Sequence, residues 1–442
     1  MSDGRFLTGS TMGHVVRMTL TGAIGITFVF LVDAANLFWV STLGDERLMA
    51  AIGYAFSIQF FTVSIGVGMM IAATALVSRA IGERERPRAR RHATGALMLT
   101  VSVQALVALL VVLFRYPLLK LAGAEGETLD IAARYLFISI PTLIIMAVGL
   151  VGSAVLRAEG DGHRAMYVTL TSGSVAMFAD PFLIVVMGWG VEGAAMGVGI
   201  SRVVMAIVAL RFAVGTHDLF ARPSVICVKE VVRPFAFIAL PVILTQIATP
   251  FGNFILTAVM ADYGDAAVAA WAVVTRLTVV AFGGLFALSG AVGGIFGQNY
   301  GASLYDRLVS TYRDSLKFCL GYTFLAWALL IGLTGFIIRG FGIPDEAAAV
   351  VRAFTYVGAG AFVFNGLLFV SNAAFNTLGK PQRSTLVNWL REGILTYPVA
   401  LMLSAWLGAV GVIYTQAVLA VVVGSASALW GWYFVRSFGS KA

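Results

Sequence analysis

The stretch FVFLVDAANLFWV, residues 28 to 40, is apolar almost throughout and contains one carboxylate, that of Asp33. It belongs to an apolar run over residues 14–41, which exceeds the about 20 residues that a helix needs to cross a bilayer. The whole chain of 442 residues has this character, with 59% hydrophobic and 12% charged residues. A soluble domain has roughly a quarter of its residues charged. The sequence therefore predicts an integral membrane protein.

Apolar segments of similar length recur along the chain, separated by charged and turn-forming residues. Because the hydrocarbon region offers no water to backbone amides, segments of this length must be helices. We therefore predict an all-α integral membrane protein with twelve transmembrane helices. The predicted segments cover residues 14–41, 48–77, 93–115, 131–156, 165–187, 194–213, 235–261, 268–296, 315–338, 350–375, 386–406 and 412–434.

The distribution of basic residues predicts the orientation. If both termini are cytoplasmic, 20 of the 30 Lys and Arg residues lie on the inner side, 6 on the outer side and 4 within segments. This bias predicts cytoplasmic N- and C-termini, and we expect the chain to lie in the cell inner membrane. It also accounts for the basic run SRAIGERERPRARRH, residues 78–92, as an inner loop beside lipid headgroups, and no nucleic-acid partner is expected.

The second half of the chain repeats the first at an offset of 218 to 220 residues. Gly44 pairs with Gly264, and Arg164 pairs with Arg383. Since each copy holds six helices, both enter the membrane from the same side and form two pseudo-symmetric six-helix bundles. The predicted parts are an N-terminal bundle over 1–214, a cytoplasmic linker over 215–234 and a C-terminal bundle over 235–442.

Two acidic residues lie deep within predicted segments, Asp33 in the first and Asp180 in the fifth. Each is 7 or 8 residues from the outer end of its segment, which places both at a depth of roughly 11 to 12 Å. An ionisable residue in a membrane helix costs several kcal/mol unless it faces the protein interior or a wet cavity. Carboxylates in such surroundings can exchange protons near neutral pH. We expect Asp33 and Asp180 to bind a proton or a cation.

The second bundle has no acidic residue at the same depth. The repeat places Gly252 or Asn253 at the position of Asp33 and Val399 at the position of Asp180. Ion coupling is therefore predicted in the first bundle.

Other side chains within the segments are candidates for the wall of a substrate pathway, and some are charged. Arg391 and Glu392 are neighbours in the eleventh segment, where a regular helix points them to different faces, so we expect salt links to neighbouring helices and not simply a pair. The candidate pathway residues are Asn36, Gln59, Ser172, Met177, Gln246, Asn253, Arg276 and Asn365.

The sequence predicts neither a catalytic nor a metal site. Its four histidines lie at segment ends or in loops, and the HExxH motif is absent. We expect no enzyme activity and no cofactor apart from a coupling ion, H⁺ in preference to Na⁺.

Four stretches together resemble the multidrug and toxic compound extrusion (MATE) transporters, and the similarity spans essentially the whole chain. They are VDAANLFWVSTLGD (32–45), VSRAIGE (77–83), LRAEGDGHRA (156–165) and DPFLIVVMGWGVEGAA (180–195). The resemblance implies a V-shaped pair of bundles that exports amphipathic, often cationic compounds in exchange for H⁺ or Na⁺ by alternating access. In the DinF-like branch the coupling carboxylates lie in helices 1 and 5, where Asp33 and Asp180 match.

The chain departs from its relatives at several positions. The NorM-like branch carries further acidic residues in helices 7 and 10, where this chain has Thr249 and Asn365. A proline that bends helix 1 in some relatives is absent, and an asparagine before the helix 5 aspartate is replaced by Ala176. The resemblance thus implies a DinF-like exporter of small amphipathic molecules that works in the lipid bilayer as a monomer.

An alternative is a flippase for a lipid-linked or anionic amphipathic substrate. That function requires cations that face the pathway to bind phosphate. Within the segments, the available cations are Arg17, Arg202, Arg276 and Arg391.

Overall fold

A computed structural model describes residues 4–439 of the chain, and these residues form helices without a strand. Lys441, which the orientation argument counts on the inner side, lies outside the described residues. The α-helices are α1 (Thr11–Ser41), α2 (Glu46–Gly82), α3 (Arg86–Leu113), α4 (Arg115–Leu121), α5 (Gly126–Ser139), α6 (Leu143–Glu159), α7 (Gly162–Pro181), α8 (Gly190–Gly215), α9 (Val225–Ala261), α10 (Asp265–Gly301), α11 (Tyr305–Gly340), α12 (Asp345–Ala353), α13 (Ala359–Thr377), α14 (Pro381–Trp389), α15 (Thr396–Leu407), α16 (Val410–Leu419) and α17 (Ser425–Gly439).

Short π-helical turns join several of these helices into longer spans. In a π-helical turn the backbone hydrogen bonds join residue i to residue i+5, and such turns are often found at functional sites. The four turns are Phe182–Val186, Phe354–Gly358, Leu390–Leu395 and Ala420–Gly424.

The helices account for all twelve predicted segments. Among the described residues, ten spans are long and apolar enough to cross a membrane, and the pair α5 and α6, bent by 51° at a short break, makes an eleventh. The eleventh predicted segment is the run α14, π turn and α15, which is helical and carries two charged residues near its middle. The prediction of an all-α fold with apolar membrane spans is therefore confirmed.

The described chain packs into two units. One contains the residues up to Ile24 together with those from Leu240 onward, and the other runs from Gly25 to Ala239. Both divisions fall within long helices, α1 and α9, whereas the predicted boundaries were 1–214, 215–234 and 235–442.

Two glycines of α1 lie on either side of the point where this helix passes from one unit to the other. A Cβ at Gly22 would lie 3.0 Å from the Cβ of Ala287 in α10, and one at Gly25 would lie 3.6 Å from Thr169 in α7. Each glycine lets α1 approach a helix of its own unit closely.

The chain before α1 is bound to the unit that contains Leu240 onward. Phe6 is fully buried, and its backbone N–H donates to Oε1 of Gln298 over 3.0 Å. Arg307 donates to the carbonyls of Phe6 and Gly9 over 2.8 and 3.0 Å. These bonds explain why residues predicted to belong to the first bundle pack with the second half.

Residues 216–224 are bound to the unit that contains Gly25 to Ala239. His217 Nε2 lies 2.8 Å from Oδ2 of Asp161, and Arg90 Nη2 donates to the carbonyl of Phe220 over 2.9 Å. The hydroxyl of Thr94 accepts from the N–H of Ala221 over 2.9 Å. We call this arrangement the clasp. It consists of the segment 216–224, which includes His217, and the three residues that bind it, Asp161, Arg90 and Thr94. The stretch predicted as a linker is thus fastened to one unit up to the start of α9.

Asp161 is the buried carboxylate of the clasp, and only 4% of its surface is exposed. Burial raises its pKa, but hydrogen bonds from His217 and Arg164 outweigh that effect and lower the pKa from 3.8 to about 2. A lowered pKa means that the stabilisation is complete above the unfolded pKa and is lost as the pH falls through the folded one. Asp161 therefore holds the clasp throughout the neutral range.

Asp161→Asn is expected to loosen the clasp, because a neutral amide loses the ionic part of its bonds to His217 and Arg164. In protein reconstituted into nanodiscs, chymotrypsin should cut after Phe220 faster in this variant, as measured by mass spectrometry. Asp306→Asn, an exposed carboxylate of α11, is the matched control. Equal cleavage of Asp161→Asn and wild type would show that the clasp does not depend on this charge.

Candidate functional site

Asp33 and Asp180 are presented by α1 and by the last turn of α7. Pro181 follows Asp180 directly, and because proline has no N–H it cannot donate to the carbonyl four residues earlier, that of Met177. The π turn Phe182–Val186 comes next. The helix is therefore irregular immediately after Asp180, and the carbonyl of Met177 lacks the N–H that would bond to it in a regular α-helix.

The structure brings the two aspartates into one polar cluster. Asn36 lies one turn after Asp33 on the same face of α1, and its Nδ2 donates to Oδ2 of Asp180 over 2.8 Å. Asp33 also interacts electrostatically with Asp180 and with Arg202. Asp33 itself is exposed, whereas Asp180 is 2% exposed. The site thus joins an accessible carboxylate to a buried one.

Oδ1 of Asp180 is the unsatisfied atom of this cluster. It is buried, and no hydrogen bond reaches it from within residues 4–439. A buried polar atom without a partner costs about 1–3 kcal/mol, so native proteins seldom leave one without a functional reason. An acceptor with no donor is the place where a proton or a small cation would bind.

Glycines of α8 make the room that Asp180 occupies. A Cβ at Gly197 would overlap Oδ1 of Asp180, and one at Gly193 would lie 2.7 Å from the carbonyl oxygen of Leu183. Gly193 therefore lies against the backbone of the π turn Phe182–Val186, where a side chain does not fit, and Gly197 lies against the carboxylate of Asp180. Any side chain at Gly197 would displace the carboxylate.

Arg202 of α8 supplies the positive charge. It is 8% exposed, and its Nη1 donates to the carbonyl of Ser139 over 2.8 Å and to Oγ1 of Thr142 over 2.6 Å. These acceptors lie at the break between α5 and α6, where Pro141 interrupts the helical bonds. Gln59 also reaches this break, through a 2.7 Å bond from its Nε2 to the hydroxyl of Ser139.

The charges of the cluster do not balance when both carboxylates are ionised. Asp33 and Asp180 carry two negative charges, and Arg202 carries one positive charge. Uptake of one proton or one monovalent cation would make the cluster neutral, which a low-dielectric site favours strongly. The arrangement can therefore exchange a single positive charge.

Arg202→Gln is expected to lower the free energy of unfolding by about 2 kcal/mol, because the buried carbonyl of Ser139 and the hydroxyl of Thr142 lose a charged hydrogen-bond donor. The measurement is a thermal or denaturant unfolding curve of the purified protein in detergent. Arg211→Gln is the matched control, since Arg211 lies on the same helix and is exposed. An Arg202→Gln protein as stable as the Arg211→Gln protein would contradict a stabilising role of the guanidinium.

The other unit contains a second buried charge cluster, and here one prediction from the sequence is wrong. Arg391 and Glu392 do pair, with 3.5 Å between Nε and Oε1. They lie in the π turn Leu390–Leu395, which holds more residues per turn than an α-helix, so adjacent side chains diverge less. Arg391 Nη1 also donates to Oδ1 of Asn365, 2.5 Å away.

The remaining candidate pathway residues are scattered. Ser172 is 8% exposed and donates to a carbonyl of its own helix, that of Thr169. Met177 and Gln246 are half-buried, and Asn253 and Arg276 are exposed. A role of these residues in a substrate pathway stays a prediction.

Three important residues at the first cluster, one arginine and two glycines, were not assigned to it from the sequence. Arg202 was visible as a charge within a segment, but its helix position did not reveal the contact with the broken helix. Gly193 and Gly197 are spaced by one turn, a pattern typical of close helix packing in membranes, and this signal could have pointed to the space beside Asp180.

Comparisons with known proteins place the chain among transporters. The MatE family profile matches residues 23–182 and 241–402, one stretch in each half of the chain. A "FAD transporter" of Shewanella oneidensis is 26% identical over 436 residues, covering 96% of both proteins. The "Multidrug export protein MepA" of Staphylococcus aureus is 23% identical over 413 residues, covering 91% of this chain and 89% of that protein.

Solved structures agree in fold over the whole chain. A MATE crystal structure in the straight conformation has a TM-score of 0.92 at 21% identity, covering 100% of this chain and 99% of the other. An outward-facing multidrug resistance MATE family transporter of the MOP superfamily has a TM-score of 0.91 at 22% identity, with the same coverage.

Proposed function

Because the chain belongs to the MatE family of multi-pass membrane transporters, which are not enzymes, we propose that it is a secondary active multidrug exporter. It exchanges amphipathic, often cationic organic compounds for H⁺ by alternating access. We place it in the inner membrane as a monomer with both termini in the cytoplasm. The basic residues of its loops support that orientation, and the match of Asp33 and Asp180 supports the DinF-like branch.

The observation that carries the proposal is the single uncompensated charge of the first cluster. With Asp33 and Asp180 ionised beside Arg202, the site attracts one positive charge, and a proton or a cationic substrate can each supply it. The proton and the cationic substrate therefore compete to neutralise the same excess negative charge. Competition of this kind is what an exchanger requires.

The atoms around Asp180 favour a proton over Na⁺. Na⁺ is a hard cation, and hard cations are bound by several oxygen ligands at once. At Oδ2 of Asp180 the partner is the Nδ2 donor of Asn36, and at Oδ1 the neighbour is Gly197, which has no side chain. A proton needs a single oxygen, and Oδ1 provides it.

The test is transport of a cationic dye such as ethidium by proteoliposomes in which pH and Na⁺ gradients are imposed separately. We expect uptake driven by the pH gradient alone, and no effect of the Na⁺ gradient. Transport that follows only the Na⁺ gradient would assign Na⁺ as the coupling ion. Absence of transport under either gradient for several cationic dyes would contradict the exporter proposal.

A second candidate is export of an anionic aromatic compound. The relative from Shewanella oneidensis is described as a FAD transporter, and flavin nucleotides combine an aromatic ring with phosphate groups. Arg391 is a buried cation that could meet such a group. Transport of flavin nucleotides by the same proteoliposomes, without transport of cationic dyes, would promote this candidate.

A further inference from the structure

We propose that the unit containing Leu240 onward holds an anion-exchange site of its own, in which Arg391 binds the anionic group of an aromatic amphipathic compound while Glu392 takes up a proton. The binding step stands independently of the proposed exporter function, and only its use in transport rests on that function.

The first support is the ion pair itself. Arg391 and Glu392 are each 9% exposed and lie ten or eleven residues into the segment that starts at Pro381, which is a depth of roughly 15 Å. Charged residues at such depth are costly and usually functional. Replacing a buried pair by apolar residues is often neutral or stabilising, so fold stability alone gives no reason for this pair.

The second support is the space prepared for the carboxylate. A Cβ at Gly252 of α9 would overlap Oε2 of Glu392, so a larger residue there would displace the carboxylate from this position. Gly252 stands where the internal repeat places the counterpart of Asp33. The two units therefore both bring a carboxylate to this part of the repeat, from α1 in one and from the π turn in the other.

The third support is a pair of aromatic rings, tilted by 41° to each other, beside the π turn. The rings of Phe251 and Trp389 lie 5.5 Å apart, and the indole is fixed by a 2.9 Å bond from its Nε1 to the carbonyl of Leu244. Phe251 is 40% exposed. A Cβ at Gly393, within the π turn, would lie 2.6 Å from the indole ring of Trp389, so the indole packs against the turn that carries the ion pair. Such a surface suits a planar aromatic group that carries a negative charge.

The charges around the pair explain the exchange. Arg391 is the charged group that faces Glu392, Thr396 and Asn365 contribute neutral polar groups, and α9 contributes the backbone of Gly252. An incoming anion replaces the Glu392 carboxylate at the guanidinium, and the displaced carboxylate takes one proton from water. The total charge of the site stays the same, so binding in a low-dielectric environment avoids an unpaired charge. One proton enters for each anion bound.

The test uses anilinonaphthalene sulfonate as the anion and phenylnaphthylamine, which lacks the sulfonate, as the neutral control. Both are titrated into nanodiscs that hold the Asp33→Asn/Asp180→Asn protein, so that the first cluster cannot exchange protons. We expect the sulfonate to bind with uptake of about one proton, detected by a pH indicator in weak buffer, and the neutral compound to bind without it. If the part of the sulfonate binding that Arg391→Gln removes occurs without proton uptake, the proposal is overturned, even if dye transport by the wild type is intact.

Single variants should change sulfonate binding in opposite directions. Glu392→Gln leaves Arg391 without its internal anion, so affinity should rise about ten-fold, which is 1.4 kcal/mol, and lose its pH dependence. Arg391→Gln should abolish saturable binding. The double variant, neutral at both positions, keeps the site free of unpaired charge and should fold yet bind no sulfonate. Undiminished binding to the double variant overturns the proposal.

Discussion

Replacing Asp33 and Asp180 together by asparagine is expected to reduce pH-driven dye transport in proteoliposomes to the level of empty vesicles. Asparagine keeps the size and the hydrogen-bonding capacity of the carboxyl group but cannot bind a proton or attract a cation. The variant leaves Arg202 as an uncompensated positive charge, so the site would repel a cationic substrate.

The single variants should separate the two roles. Asp180→Asn removes the buried carboxylate whose Oδ1 has no partner among the described residues, and we expect loss of proton coupling. Asp33→Asn removes the exposed carboxylate, and we expect weaker dye binding at every pH. Asp130→Asn, an exposed carboxylate on α5 of the same unit, is the matched control and should transport as the wild type does. Full pH-driven transport by the Asp33→Asn/Asp180→Asn protein would contradict the coupling assignment.

Gly197→Ala is expected to lower transport about ten-fold or more, although it adds one methyl group and changes no charge. The new Cβ would overlap Oδ1 of Asp180, so the carboxylate must leave its position between α7 and α8. Overpacking of this kind costs about 1–3 kcal/mol, and 1.4 kcal/mol corresponds to a factor of ten in an equilibrium constant. The measurement is initial transport rate at equal protein content, with unfolding curves for each variant.

Gly215→Ala is the matched control because it adds the same group at the end of the same helix, where no atom lies within 4 Å. It should leave both transport and stability unchanged. If Gly197→Ala transports like Gly215→Ala, Asp180 does not need its present position, and the proposed proton site at Oδ1 is wrong. If Gly197→Ala loses stability but retains transport per folded molecule, the close packing of α7 and α8 is structural only.

The two predictions test different parts of one proposal. The asparagine variants change the charge of the cluster and leave its shape, whereas Gly197→Ala changes its shape and leaves the charge. Loss of transport in both cases is expected only if transport requires both the excess negative charge of the cluster and the present position of Asp180.

The sequence was informative wherever the bilayer imposes a strong energetic rule. Long apolar runs predicted the helices, because backbone amides in lipid have no other partners. Asp33 and Asp180 were identified because a charge in an apolar segment is costly and therefore conspicuous. The family match and the helical spans confirm the membrane helices, and the role of the two aspartates stays a prediction.

The sequence was less informative wherever the outcome depends on which groups meet. The stretch 215–234 was predicted as a linker between the bundles, and the sequence did not reveal that Asp161 and Thr94, distant in the chain, bind its first part. Arg391 and Glu392 were expected to point to different helix faces, but they pair within the π turn. Regular helical periodicity contains no information about such a turn.

The sequence by itself determined the membrane setting, the helical class, the internal duplication and the two carboxylates, since each follows from local composition or spacing measured against the cost of burying polar groups. Only the tertiary structure decided that Asn36 bonds to Asp180, that Arg202 joins the break after Ser139 and that Gly197 leaves the space beside Oδ1. The physical reason is that hydrogen bonds and contacts act over about 3 Å. Whether residues from different helices come that close depends on how the helices pack.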